Sequence, residues 1–166
     1  MNQEKKKVSD VVEPRLIQPA EGHRLTVAGG IYTIKATGKD TGGAYAIVEM
    51  LVPPQTGPPP HTHSREMESF YIMEGSLSFW LGNQKFTAEA GSLIIAPPGL
   101  PHGFKNEGET PARALALITP AGLEKFFEEI GSPLKEGSGA PKEVTSKDLE
   151  RVVATAANYG VEIKLP

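Results

Sequence analysis

The sequence predicts an all-β barrel or sandwich followed by two α-helices. Two observations carry this prediction. Eighteen glycines and 15 prolines punctuate short apolar runs, at intervals of roughly ten residues, as in strands joined by tight turns. Beyond Thr119 the apolar period lengthens from that of a strand to that of a helix.

Taken in order, residues 1–13 read as a flexible, lysine-bearing tail, 14–119 as the barrel, and 120–166 as a helical extension packed on it. Strands are expected at Ile31–Thr37, Tyr45–Val52, Glu68–Met73, Ser76–Leu81, Lys85–Ala88, Ser92–Ala96, His102–Lys105 and Arg113–Ile118. Gly82 and Asn83 separate two of these runs and suggest a tight hairpin. In the extension, Leu123, Phe126, Phe127 and Ile130 fall at i, i+3, i+4 and i+7, with Glu124, Lys125, Glu128 and Glu129 on the other side. Thr119 suits the N-cap of this helix, Pro120 its first position and Gly131 its stop. A Gly/Pro/Ser-rich linker spans 132–144. A second amphipathic helix runs from Ser146 to Asn158 on Leu149, Val152, Val153 and Ala156, ended by Gly160. Both helices are expected on the outside of the barrel or against a partner subunit.

Composition excludes several functions. Cysteine is absent, which removes disulfides, thiolate metal sites and a cysteine nucleophile. Net charge is −3 and no basic cluster is large enough for a nucleic-acid footprint. The opening MNQEKKKVSDVVEP lacks the apolar run of a secretory signal, and no apolar stretch is long enough to span a membrane. The expectation is a cytoplasmic protein whose partner is a small molecule.

Three of the four histidines stand in two informative places. In PPPHTHSREMESF, His61 and His63 are two apart. On a strand they point to the same side and bring two imidazoles to one ion. Glu68 has the other parity, so a bend at Ser64–Glu66 is needed to bring it round at the start of the next strand. In GSLIIAPPGLPHGFKN, Pro97, Pro98 and Gly99 form a stiff turn in which Gly99 can take positive φ, and His102 follows at the start of a strand. Three imidazole nitrogens and one carboxylate oxygen suit one divalent transition metal (Fe, Mn, Ni, Co, Cu or Zn) and suit Ca or Mg poorly. His23 has no patterned neighbours and reads as structural. Glu66 is the rival carboxylate and reads as solvated or hydrogen-bonded near the mouth, Arg65 as a surface charge or loop ion pair, and Asn106 as a strand-end residue with structural hydrogen bonds.

At these residues the sequence resembles the cupin superfamily, whose fold is a double-stranded β-helix, or jelly roll. The family's first motif is Gly, five residues, His-x-His, three or four residues, Glu, six residues, Gly. His61, His63, Glu68 and Gly75 match it, while Gly57 stands three residues before His61 instead of five. The second motif is Gly, five residues, Pro-x-Gly, two residues, His, three residues, Asn. Gly91, Pro97, Gly99, His102 and Asn106 match it throughout. More widely, REMESFYIMEGSLSFWLG, PARALALITPAGLEKFFEEIG and LERVVATAANYGVEI look like single-domain cupins similar to quercetin 2,3-dioxygenase. The resemblance implies a metal on His61, His63, Glu68 and His102. It also implies a dioxygenase acting on a flavonol or other enolisable aromatic, with Glu68 as ligand and as the base that takes the substrate's hydroxyl proton. A non-oxidative isomerase or lyase and a non-catalytic binding barrel are the alternatives.

Strand parity supplies the expected pocket. Glu68, Phe70 and Ile72 share a side, as do Leu77, Phe79 and Leu81, and His102 and Phe104. Phe70, Ile72, Phe79, Phe104 and Met50 are the candidate wall, which favours a hydrophobic or aromatic substrate. A barrel of this kind leaves a sheet edge open, so a homodimer is expected, with the segment 11–19 pairing across a two-fold axis.

Overall fold

In the computed structural model, which describes residues 12–134 and 143–164, the chain runs through β1 (His23–Val27), β2 (Gly30–Ala36), α1 (Gly38–Thr41), β3 (Ala46–Val52), β4 (His61–His63), β5 (Met67–Glu74), β6 (Ser76–Leu81) and β7 (Gln84–Glu89). It continues through β8 (Leu93–Ala96), β9 (His102–Lys105), β10 (Ala112–Thr119), α2 (Leu123–Ile130), β11 (Ser132–Pro133), α3 (Ser146–Ala156) and β12 (Val161–Ile163), with a 3-10 turn at Ala157–Tyr159. The strands form two antiparallel sheets in the orders β11-β1-β2-β3-β10-β5-β8 and β12-β4-β9-β6-β7. The fold is mostly β, consistent with a double-stranded β-helix, and carries helices at its C-terminal side. Most of the expected tail and of the 132–144 linker lies outside the described residues.

All eight expected strands are present, each to within one residue at either end. Their alternation is what places the core. On β10, Ala112, Ala114, Ala116 and Ile118 point inward while Leu117 points out. These inward side chains are mostly small, which leaves room between the sheets at the level of Phe70 and Met50, their cross-strand neighbours. The β6–β7 hairpin turns on Gly82 at φ +58, as expected. Phe70, Phe79 and Phe104 close the interior with ring centroids 5.3–5.7 Å apart.

The helices form where expected, but the start of α2 differs. Thr119 is not its N-cap. It ends β10 and joins Pro120 through a cis peptide, and the cap is Gly122 at φ +142. Glu124 supplies the missing acceptor: its buried carboxylate takes hydrogen bonds from the N–H groups of Gly122 (2.6 Å) and Gly38 (2.9 Å). One acid therefore caps α2 and ties it to α1. At α3, Thr145 and Asp148 form a reciprocal capping box, and Gly160 at φ +67 ends the helical stretch. The extension is also not purely helical. β11 pairs with β1 in one sheet, and β12 pairs with β4 in the other.

Candidate metal centre

β4 is only three residues long, and its two outer residues are histidines. It is held on one side by β9, where His61 lies opposite His102, and on the other by β12, where Val161 faces His63 and Ile163 faces His61. His61, His63 and His102 therefore belong to the five-stranded sheet. Glu68 comes from the facing sheet. The chain bends at Ser64 and Arg65, β5 begins at Met67, and Glu68 pairs with Ile118 and Ala96. The bend required by its parity is the one observed. Gly99, at φ +77, donates its N–H to the carbonyl of His63 at 2.8 Å, so the turn before His102 is fastened to the strand that carries the other two histidines.

The four donor atoms lie within 4.8 Å of one another, close to the span of atoms that ring one ion at roughly 2.0–2.2 Å. Glu68 Oε2 is the hub. It lies 3.0 Å from His102 Nε2, 3.1 Å from His63 Nε2 and 3.9 Å from His61 Nε2. The other ring nitrogens of His61 and His102 sit against the carbonyl oxygens of Pro59 (2.8 Å) and Leu100 (2.9 Å). Each Nδ1–H donates there, which fixes the tautomer and turns the Nε2 lone pair toward the centre. His63 is buried and neither of its nitrogens has a hydrogen-bond partner among the described residues. Its Nε2 is near Glu68 but off the line of a hydrogen bond. An orphaned, buried imidazole nitrogen beside a carboxylate is a costly arrangement in a purely structural core and the expected one for a ligand. The donor set thus fits a divalent transition metal, and this cluster could hold one.

The electrostatics agree. Burial pushes the Glu68 carboxyl up, but the three surrounding imidazoles outweigh burial and hold it well below the usual carboxylate range. Burial pushes His102 down, but its hydrogen bond to Glu68 and that group's charge win and raise it. In the ion-free cluster the Glu68 carboxylate therefore favours a proton on His102.

A cavity of about 70 Å³ opens onto the cluster. Met50, Phe70 and Phe104 line it as expected. Ile72 and Phe79 do not: both are fully buried below it, in the closed part of the barrel. Sequence reasoning missed the opposite wall. Phe126, Phe127 and Ile130 of α2, Val152 of α3, and Val161 and Ile163 of β12 cover the barrel mouth and line the cavity together with Tyr32. The helices thus cover the barrel at its mouth and close the site. Their apolar stripes were legible, but the surface they would meet was not. Tyr32 was legible in principle, because Lys35 marks the outward parity of β2 and so sends Tyr32 inward.

Of the two readings of Glu66, solvated or hydrogen-bonded, the second is observed: it is 2% exposed and bonded to its neighbour. Oε1 is held by the Arg65 guanidinium at 2.8 and 3.0 Å, while Oε2 has no partner among the described residues. It does not join the cluster. Arg65 is the largely exposed member of that ion pair. Asn106 is structural, as expected. Its amide donates to the carbonyls of Val52 (2.9 Å) and Thr110 (2.8 Å), and its oxygen accepts from the N–H of Gly108. The displaced Gly57 also has a packing reason, since a Cβ there would collide with the Phe104 carbonyl.

Residues 48–118 match the family model described as Cupin domain. Quercetin 2,3-dioxygenase of Bacillus subtilis is 24% identical over 157 residues, which is 95% of this chain and 46% of that protein. Germin-like protein 1-3 of Oryza sativa is 42% identical over 65 residues, 36% of this chain and 29% of that protein. The chain spans less than half the length of these relatives. Among solved structures, KdgF from Halomonas superposes with a TM-score of 0.61 at 18% identity, over 68% of this chain and 99% of that one. A predicted oxalate decarboxylase from Thermotoga maritima gives 0.59 at 22%, over 64% and 99%. These superpositions report the fold alone. Both histidine motifs fall inside residues 48–118, and over that region the chain is similar to cupin domains.

Proposed function

We propose that this chain is a cupin and a metal-dependent dioxygenase acting on an aromatic or enolisable small molecule. The observation that supports it is the convergence of three imidazoles and one carboxylate at the floor of an otherwise apolar cavity. A divalent ion on this set has a local charge of about +1 and supplies Lewis acidity toward an anionic oxygen of the substrate. The chain's own residues do the rest. The Nδ1–H bonds of His61 and His102 keep the donors aimed, Glu68 Oε2 can take a hydroxyl proton from the substrate, and the Phe70, Phe104, Phe126 and Phe127 side chains exclude water.

A second reading is a non-oxidative isomerase or lyase. The cavity favours it, because about 70 Å³ falls well below the roughly 300–1,000 Å³ of pockets for drug-sized ligands. A similarity to H2HPP isomerase of Bacillus subtilis also favours it, at 39% identity over 77 residues, 45% of this chain and 32% of that protein. Metal content followed by oxygen uptake with flavonols and small hydroxyketones tests the choice. Uptake coupled to product supports the dioxygenase. Product formed without oxygen supports the second reading. A metal-loaded protein that only binds these compounds is a binding barrel.

We infer also that the chain forms a homodimer. Tyr71, Leu93, Ile95 and Leu117 are exposed on the outward face of β5, β8 and β10, and β8 is an edge strand. Light scattering at micromolar concentration is expected to give twice the chain mass, and a monomer would refute it.

A further inference from the structure

Apart from the cluster's own His61, His63 and Glu68, the cavity is lined by Val, Ala, Met, Pro, Phe and Ile side chains and by Tyr32. The phenol of Tyr32 is therefore the one conventional hydrogen-bond donor among these side chains that is not a candidate metal ligand. Pro58 and Pro59 also bring no N–H to the wall. Tyr32 is buried, and its ring is fixed edge-on against Phe127 at a centroid distance of 5.3 Å. Its hydroxyl makes no hydrogen bond with any described residue. Burial, and after it the charge of Glu68, push the phenol up from its usual range, so it stays protonated and can only donate toward that charge. A hydroxyl with no partner among the described residues, on a side chain that lines the cavity over the cluster, takes its partner from a ligand or from water.

We propose that Tyr32 is the specificity-determining residue of this site: its hydroxyl donates a hydrogen bond to an oxygen of a ligand held at the four-residue cluster. The proposal rests on the metal-centre reading and deepens it. It names the ligand class as an apolar molecule carrying acceptor oxygens, such as a hydroxyketone that offers one oxygen to the ion and another to the phenol. A hydrocarbon-like ligand leaves the phenol unpaired and is disfavoured.

The test compares wild type with Tyr32→Phe, which keeps the ring and its packing. Both proteins are loaded with Co(II), metal content is measured, and maltol, a small hydroxyketone, is titrated by calorimetry and by the cobalt absorption bands. The expected result is equal metal content, about tenfold weaker maltol binding in Tyr32→Phe, and an unfolding temperature of the unliganded variant equal to or above that of wild type. An unfolding temperature clearly below wild type overturns the proposal, because the hydroxyl is then a structural donor. Equal maltol affinity in the two proteins, or no maltol binding to cobalt-loaded wild type, also overturns it. Failure of wild type to take up Co(II) is seen before maltol is added, and it defeats the metal-centre reading and this proposal together.

Discussion

At the scale of single residues, one oxygen organises the centre. Glu68 Oε2 stands between three imidazoles, and each of them has a different second contact: a proline carbonyl, a leucine carbonyl, or none. His63→Ala and Glu68→Ala should each lose at least nine-tenths of bound metal by mass spectrometry. Glu66→Gln should keep it, because Glu66 bonds to Arg65 and not to the cluster. Equal metal content in all three variants would sink the assignment. The proton balance gives a second expectation. In the ion-free protein the raised His102 contributes stability that is complete below the ordinary histidine range and fades as pH rises through its folded value. The depressed Glu68 contributes stability that is lost only as strong acid reaches its folded value. Metal competes with the proton on His102, so its stabilisation grows with pH. As pH rises from the ordinary histidine range the chelated protein should therefore lose thermal stability, while the metal-loaded protein gains it. Parallel slopes in calorimetry would contradict this.

At the scale of elements, what the sequence made legible follows from how far each element is set by its own residues. β5, β6 and β10 alternate over six to eight residues and declare both their existence and their inward face. β4, β11 and β12, of two or three residues, exist only because a neighbouring strand pairs with them, and no local pattern announces that. The convergence of His61, His63, Glu68 and His102 was legible because spacing and parity are local properties. The burial of Glu66 was not, because the loop that encloses it is brought there by tertiary packing. The same distinction applies at α2, where a Thr-Pro pair looked like a helix start and the cap came from Glu124, two residues inside the helix. Two substitutions test the local anchors. Asn106→Ala strands the buried Val52 carbonyl and removes the partner of the Thr110 carbonyl and the Gly108 N–H, and should cost roughly 1–3 kcal/mol in denaturant unfolding. Thr145→Ala removes the α3 capping box and should cost about 1 kcal/mol, with faster amide exchange confined to α3.

At the scale of the whole molecule, the cavity is closed by the C-terminal segment. Phe126, Ile130, Val152 and Val161 come from three elements, α2, α3 and β12, that meet over the barrel mouth. The size of ligand that enters is thus set by α2, α3 and β12 more than by the barrel. Val152→Ala should cost roughly 1–2 kcal/mol. It should also shift preference toward flavonols over small hydroxyketones in competition calorimetry. Unchanged preference would show that the size limit lies elsewhere.

The placement of the four cluster residues has one more consequence. Three belong to one sheet and the fourth to the sheet facing it, so an ion bound there is a tie across the barrel's interior as well as a reagent. The two walls share a ligand that the unfolded chain binds poorly, and the stabilisation should grow with the logarithm of free metal. Stripping the metal should then loosen the molecule along the seam between its sheets. Amide exchange should quicken first in β4 and at the start of β5, while the backbone around the fully buried Ile72 and Phe79 stays protected.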